Sequence, residues 1–291
     1  MSPAPHYRGR FAPSPTGPLH LGSALAALAS WLDARAHGGA WLIRMEDLDP
    51  PREQPGADRL ILNLLDAIGL HSDAAVLYQS SRSQAYAQAV AQLLDAGMAF
   101  ECRCSRSDLA ASKGIHRGPC QASAANAGRT AAIRLRVPNV NIEFDDRIQG
   151  RYRQNLQREV GDFVLRRADG PYAYQLAVVV DDAAQQISDV VRGADLLDST
   201  PRQIYLQQCL GLPTPRYAHL PLLLGADGQK LSKQNLAPAL SPGEFQQQLP
   251  QIATWLGQPV PQGPFDLDWL IRHWRIDRVP RQLALLPDPA D

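Results

Sequence analysis

Two short stretches of this chain carry the residue types needed to handle a polyphosphate. One is His20-Leu21-Gly22-Ser23, which follows the proline-broken loop Pro13-Ser14-Pro15-Thr16-Gly17-Pro18; the other is Gly228-Gln229-Lys230-Leu231-Ser232-Lys233-Gln234. Lysine usage picks out the second stretch. Of the 29 basic side chains only three are Lys, and two of these, Lys230 and Lys233, fall within four residues of each other. Arg offers a planar fork, whereas Lys offers a compact, mobile point charge suited to following a phosphate through a reaction. In the first stretch a helix is expected to begin. Its unpaired amides and partial positive charge would receive phosphate, His20 would face it, and Gly22 would let a nucleotide approach the backbone. Neither stretch is a Walker loop, and no G-x-G-x-x-G is present.

A third constellation is Cys102-Arg103-Cys104 with His116 and Cys120, so that three of the four cysteines fall in one short window. Thiolates and an imidazole at this spacing suit a closed tetrahedral zinc site, expected to be structural, with one Zn2+ per chain. It lies far along the chain from both phosphate-handling stretches, and no catalytic role is expected of it. Cys209 stands alone in a predicted helix and reads as a core residue.

The elements that must position these groups can be read from periodicity. Arg10-Phe11-Ala12 reads as a short strand. Leu25, Leu28, Ala29 and Leu32 then recur at helical spacing, with Ser23 able to cap the start and Gly38-Gly39 ending the helix before the apolar strand Trp41-Leu42-Ile43. This is the β-loop-α-β opening of a doubly wound parallel sheet. Helices are predicted over Ala57–Ile68, Gln84–Ala96 and Pro201–Leu210. The stretch from Phe100 to about Arg158 changes character and reads as an inserted subdomain. The sheet pattern is expected to resume with Phe163-Val164-Leu165 and the apolar run Leu176–Val180. After Lys233, Trp255, Trp269 and Trp274 fall among helical patterns, in a tail of 58 residues too short for a full second domain.

Composition excludes several classes. The chain has 291 residues, 29 Lys plus Arg against 29 Asp plus Glu, and is 45% apolar, the make-up of a soluble globular protein. No apolar run reaches the roughly 18 residues of a membrane span, and the start lacks an apolar signal core, so no membrane partner and a cytoplasmic location are expected. Zero net charge argues against a general nucleic-acid coat, and no DNA partner is expected. From Glu101 to Asp169, however, thirteen basic residues face eight acidic ones, which allows a local polyanion contact.

Taken together, HLGS and KLSKQ resemble the HIGH and KMSKS signatures of class I aminoacyl-tRNA synthetases. The longer stretches RFAPSPTGPLHLGSALAALASW, LIRMEDLD, YQLAVVVDD and RGADLLDSTPRQ, in that order, are similar to the glutamyl-tRNA synthetase catalytic domain over about four-fifths of the chain. Two positions depart from the pattern: Ser23 replaces the second histidine of HIGH, and Gln234 the last serine of KMSKS. The resemblance implies an α/β fold, a Rossmann-like parallel sheet with an inserted zinc-bearing subdomain of acceptor type and a short helical C-terminal region. Its divisions would be 1–99 and 159–236 for the two halves of the catalytic domain, 100–158 for the insert and 237–291 for the tail, with no anticodon-binding domain.

The same resemblance implies a glutamate site formed by Arg10, Phe11, Ala12, Pro13, Ser14, Glu46, Tyr174 and Arg192. ATP, with Mg2+, would be held by His20, Gly22, Ser23, Lys230 and Lys233, of which His20 and Lys233 would be catalytic. The residue chemistry agrees. Free glutamate carries two carboxylates and an ammonium, so its site needs a guanidinium fork and an acidic partner for the amine. A chain ending soon after KLSKQ fits a truncated branch of the family that joins glutamate to queuosine, the modified wobble base of tRNA-Asp. The expected partners are therefore L-glutamate, ATP and queuosine-modified tRNA-Asp. Two other readings stand beside this one: a synthetase fragment that charges tRNA-Glu, and a synthetase-like protein that binds without turnover.

Overall fold

A computed structural model describes residues 7–105, 107–118, 120, 126–225 and 239–285. The predicted opening is present. Strand β1 (Arg8–Phe11) leads through a proline-rich loop to helix α1 (Leu21–Ala36) and strand β2 (Ala40–Met45), which pairs parallel to β1 with Arg10 opposite Leu42. The short strand β3 (Leu77–Tyr78) extends this ladder. Gly39 makes the turn into β2 possible, because a Cβ there would run into the Tyr7 carbonyl. Between β2 and strand β4 (Ala99–Cys102) lie helices α2 (Ala57–Ala67) and α3 (Ser83–Asp95), within a residue of the ranges read from periodicity.

A second parallel ladder is formed by β9 (Asp189–Gly193) and β10 (Arg216–Leu220), joined through helix α6 (Thr200–Leu210). It abuts the first where the Ser188 amide donates to the Arg8 carbonyl at 3.0 Å. The chain therefore leaves β1 on one side and β9 on the other. A crevice opens beyond the carboxyl ends of adjacent strands at such a switch of direction.

The inserted region is antiparallel. Strands β5 (Ala132–Leu135) and β8 (Phe163–Arg166) build a sheet with β4, while β6 (Asn141–Asp146) and β7 (Gly150–Asn155) form a hairpin followed by the single-turn helix α4 (Leu156–Glu159). Two sequence readings change here. Phe163-Val164-Leu165 is a strand, but of the insert's antiparallel sheet rather than the parallel one. Leu176–Val180 lies inside helix α5 (Tyr174–Ala184). Leu176, Ala177, Val178 and Val179 are at most 1% exposed and only Val180 is partly open, and four successive buried positions leave no polar stripe to distinguish a helix from a strand.

The tail contributes α7 (Pro242–Trp255), started by a Ser241/Glu244 capping box, and α8 (Leu267–His273). Phe245, Leu249, Ile252, Leu270 and Trp274 share one core with Leu25, Leu28 and Leu32 of α1. The last described strand, β12 (Ala284–Leu285), pairs with β11 (Leu222–Leu223) beyond β10. Among the described residues no helix is long and apolar enough to cross a membrane.

Asp33, fully buried on α1, ties these parts together. Its carboxylate accepts from Tyr7 Oη (2.5 Å), from both terminal nitrogens of Arg147 in the β6–β7 turn (2.6 and 3.2 Å) and from Trp274 Nε1 (3.0 Å). A buried charge that loses its partner is far more costly than a surface pair. Asp33→Ala should therefore lower unfolding free energy by about 3 kcal/mol or more. Tyr7→Phe, which removes only the hydroxyl, should cost about 1 to 2 kcal/mol. Urea unfolding of both variants measures the difference, and equal, negligible losses would contradict this role for Asp33.

Candidate active site

The crevice at the switch point is a cavity of about 1020 Å³. The carboxyl ends of β1, β2, β9 and β10 all open onto it. Arg10, Phe11, Ala12, Pro13 and Ser14 line it from the first strand and loop, and Glu46 from the end of β2. Tyr174, the first residue of α5, and Arg192 on β9 complete the group named from the sequence as a glutamate site. His20, Gly22 and Ser23 line the same cavity from the start of α1. Lys230 and Lys233, expected at the ATP phosphates, lie outside the described residues.

The first loop is pinned from both sides: Glu46 N donates to the Pro13 carbonyl (3.0 Å) and Gln54 N to the Pro15 carbonyl (2.9 Å). Prolines prevent it from continuing the ladder, so the chain turns across the strand ends and delivers His20 to the helix start. His20 itself is the N-cap of α1, its ring accepting from Ser23 N (3.3 Å) while Ser23 Oγ lies 2.9 Å from Nε2. This corrects the expectation that Ser23 caps. The helix begins three residues earlier, and Ser23, at its third position, holds the imidazole instead.

Charge in the cavity wall is arranged in two parts. Arg10 (3% exposed) meets Asp182 at 3.2 Å, and Arg44 (fully buried) meets the same carboxylate at 2.7 Å and Glu46 at 3.5 Å. These four groups balance two against two. Burial pushes the Asp182 carboxyl upward, but Arg10 and Arg44 outweigh it and hold its pKa below the usual carboxylate range. For Glu46 burial prevails over Arg44 and Arg10, and its pKa is raised. Sequence reasoning passed over Asp182 and Arg44, although both sit inside quoted stretches, YQLAVVVDD and LIRMEDLD.

Arg192 is different. It is 5% exposed, and among the described residues its partners are all neutral: Nε donates to His219 Nε2 (3.1 Å), Nη1 to Tyr174 Oη (3.3 Å), and Nη2 to Thr200 Oγ1 and Gln203 Oε1 (both 2.8 Å) and, at 3.4 Å, to the Leu196 carbonyl. The guanidinium is held rigidly without a directly paired countercharge, and one Nη1 hydrogen is left for a ligand. Its setting suits a bound carboxylate, while the nearby Glu46 suits an ammonium.

The Cys/His group also assembles, about the end of β4. The donor atoms of Cys102, Cys104, His116 and Cys120 lie within 4.8 Å of one another, with sulfur separations of 3.4 Å for Cys104–Cys120 and 3.7 Å for Cys102–Cys120. Tetrahedral bonds of about 2.3 Å to one metal would set sulfurs about 3.8 Å apart. His116 Nδ1 faces Asp162 Oδ2 at 2.8 Å, which turns Nε2 toward the sulfurs in the carboxylate–histidine arrangement of metal ligands. Burial and the flanking thiols of Cys120 and Cys102 push the Cys104 thiol up to about 12. A divalent cation at their centre would reverse that by stabilising thiolates.

A parallel sheet with its cavity at the strand-order switch, entered by a His-x-Gly helix start, is the frame of a class I synthetase. The family model for class I tRNA synthetases (E and Q), catalytic domain, matches residues 6–248. A glutamyl-Q tRNA(Asp) synthetase of Neisseria meningitidis is 53% identical over 97% of this chain and its own full length. Another, of Xanthomonas campestris pv. campestris, is 56% identical over 98% of this chain and 97% of its own. Among solved structures, the glutamate-tRNA synthetase of Elizabethkingia anophelis superposes with a TM-score of 0.83 at 25% identity, covering 98% of this chain and 68% of that one. The chain belongs to the glutamyl-Q tRNA(Asp) synthetases of the class I family.

Asp182→Asn keeps the hydrogen-bond acceptor but leaves Arg10 and Arg44 short of a countercharge, and should destabilise the fold by about 3 kcal/mol at neutral pH. Because the folded-state pKa of Asp182 is depressed, its contribution is complete above the unfolded value of about 3.9 and is lost as pH falls through the folded one. The stability gap between wild type and variant should therefore narrow below about pH 4. A gap that is constant with pH would contradict the assigned charge state.

Proposed function

We propose that this enzyme activates L-glutamate with ATP and transfers it to the queuosine base at the wobble position of tRNA-Asp. The observation that carries the reading is the pairing, in one cavity, of a rigid guanidinium lacking a direct countercharge with a buried carboxylate. That is the complement of glutamate's carboxylates and amine. Arg192 and Tyr174 receive one carboxylate, Glu46 accepts from the amine, and Arg10, Phe11, Ala12, Pro13 and Ser14 shape the remaining wall.

In the first step the α-carboxylate attacks the α-phosphorus of ATP in line and pyrophosphate leaves. Charge grows on the phosphoryl oxygens and on the leaving group. His20, set at the helix start beside Gly22 and Ser23, stabilises it together with Lys230 and Lys233 of the KLSKQ signature and the Mg2+ that accompanies ATP. No covalent enzyme intermediate is needed. In the second step a hydroxyl of the queuosine cyclopentenediol attacks the activated carbonyl and AMP departs.

The division of labour follows the sequence. Residues 1–99 and 159–236 supply the two halves of the catalytic domain, 100–158 an acceptor-type insert whose sheet also takes in β8 (Phe163–Arg166), and 237–291 the helical tail. Cys102, Cys104, His116 and Cys120 hold one structural zinc ion in the insert. Bound there, zinc crosslinks the end of β4 to the segment carrying His116 and Cys120. The donor chemistry supports this: three sulfurs and one imidazole fixed by Asp162 are a borderline-soft tetrahedral set.

Labelled glutamate offered to tRNA-Asp with and without queuosine, beside tRNA-Glu, tests the acceptor. Only the queuosine-bearing tRNA-Asp should be charged, and Lys233→Ala should abolish glutamate-dependent pyrophosphate exchange. Charging of tRNA-Glu or of unmodified tRNA-Asp would overturn the assignment. Elemental analysis should return about one zinc per chain, with thermal stability falling on chelation. Well under one zinc, with stability unaffected, would remove the metal from the account.

A further inference from the structure

The Arg192 guanidinium is aimed by groups that do not themselves line the cavity. His219, on β10, is fully buried and has its two ring nitrogens in opposite demands. Nδ1 faces Asp146 Oδ2 at 2.6 Å, and Nε2 faces both Arg192 Nε and the Thr200 hydroxyl at 3.1 Å. An ionised carboxylate only accepts and a guanidinium only donates, so the proton must sit on Nδ1 and the lone pair on Nε2. Asp146 is held ionised. Burial pulls its pKa up, but His219 and the backbone amides of Gln149 and His219 more than compensate and leave it below the usual range. Burial, the largest influence on His219, pulls its pKa below the ordinary imidazole value; Asp146 opposes this and Arg192 reinforces it.

The carboxylate is itself fixed, and in a way that separates its two oxygens. Oδ1 accepts from the amides of Ile148 (3.0 Å), Gln149 (2.9 Å) and His219 (3.1 Å). Oδ2 is the oxygen that meets the imidazole. Asp146 closes the β6–β7 hairpin, so a turn of the inserted region reaches β10, the neighbour of the strand that carries Arg192. Gln149 adds to the join by donating to the His219 carbonyl at 2.8 Å.

We propose that Asp146 and His219 are positioning residues for glutamate activation: Asp146 sets the Nδ1–H tautomer of His219, and the Nε2 lone pair so presented orients Arg192 for the substrate carboxylate. This rests on the reading of Arg192 as a glutamate ligand. It adds that the insert's hairpin helps to set the specificity of the amino-acid site. The wrong tautomer would point an N–H at the guanidinium, turn an acceptor into a donor and rotate Arg192 out of register with Tyr174.

Asp146→Asn isolates the effect. The asparagine oxygen can keep the three backbone contacts of Oδ1, while its NH2 takes the place of Oδ2 and donates to Nδ1, forcing the proton to Nε2. Glutamate-dependent pyrophosphate exchange by the wild type is measured first; its absence would fail the functional reading and not this one. With exchange present, Asp146→Asn should raise the glutamate KM about 10- to 100-fold, as expected for losing a hydrogen bond to a charged group, and leave the ATP KM and Tm nearly unchanged. Imidazole 15N shifts of histidine-labelled enzyme should move the His219 proton from Nδ1 to Nε2, the resonance being assigned by its loss in His219→Gln. In the His219→Gln background, where the amide can turn its oxygen to Arg192, Asp146→Asn should add little further loss. An unchanged glutamate KM in Asp146→Asn, a wild-type tautomer with the proton on Nε2, or equal rises in the KM of ATP and glutamate would each overturn the proposal.

Discussion

A buried guanidinium without a carboxylate beside it is the constraint from which the rest of this structure follows. Taking such a charge out of water costs several kcal/mol unless hydrogen bonds and a countercharge replace hydration. Arg192 is given the hydrogen bonds, from His219, Tyr174, Thr200 and Gln203. Its countercharge is left to the ligand, since Asp146 reaches it only through the His219 ring. Those four side chains come from three elements: β10, the start of α5, and two positions one turn apart on α6. The doubly wound sheet brings these elements to one set of strand ends, which is why the cavity lies at the switch point.

The surrounding charges are kept from competing for the substrate. Arg10, Arg44, Asp182 and Glu46 balance in charge behind and beside the cavity, although Arg44 Nε and Nη2 have no hydrogen-bond partner among the described residues. Raised in pKa by burial, Glu46 is a carboxylate that gains from an incoming ammonium, while Asp182 is already committed. On the proposed reading, one rigid cation free of direct pairing and one carboxylate raised in pKa by burial would discriminate by charge geometry rather than by shape alone. The Asp33 cluster does the matching structural work on the far side of α1, binding the hairpin turn and the C-terminal Trp274 to the helix that presents His20.

Much of this was legible in the chain. The β-loop-α-β opening, the helices following it and the metal-type cluster all followed from period, caps and spacing, because each is a local pattern. Every residue named for the glutamate site lines one cavity, since those names came from whole motifs and not from single residues. What was hidden was hidden for physical reasons. The Leu176–Val180 run has four successive buried positions and so carries no polar stripe, and the strand at Phe163 pairs with the insert because of partners distant in sequence. His219 and Asp146 leave no local signature, because their roles exist only once β10, β9 and the hairpin turn meet. His20 displaced Ser23 as the helix cap because an imidazole nitrogen can accept from the third amide as a hydroxyl can.

The central claim is that Arg192, held by neutral partners, is completed by a substrate carboxylate. A crystal structure of the enzyme with a non-hydrolysable glutamyl-adenylate analogue tests it most directly. The account predicts a glutamate carboxylate within hydrogen-bonding distance of Arg192 Nη1 and Tyr174 Oη, with the ligand amine at Glu46. A ligand whose carboxylate sits elsewhere, leaving Arg192 with its neutral partners alone, would contradict it.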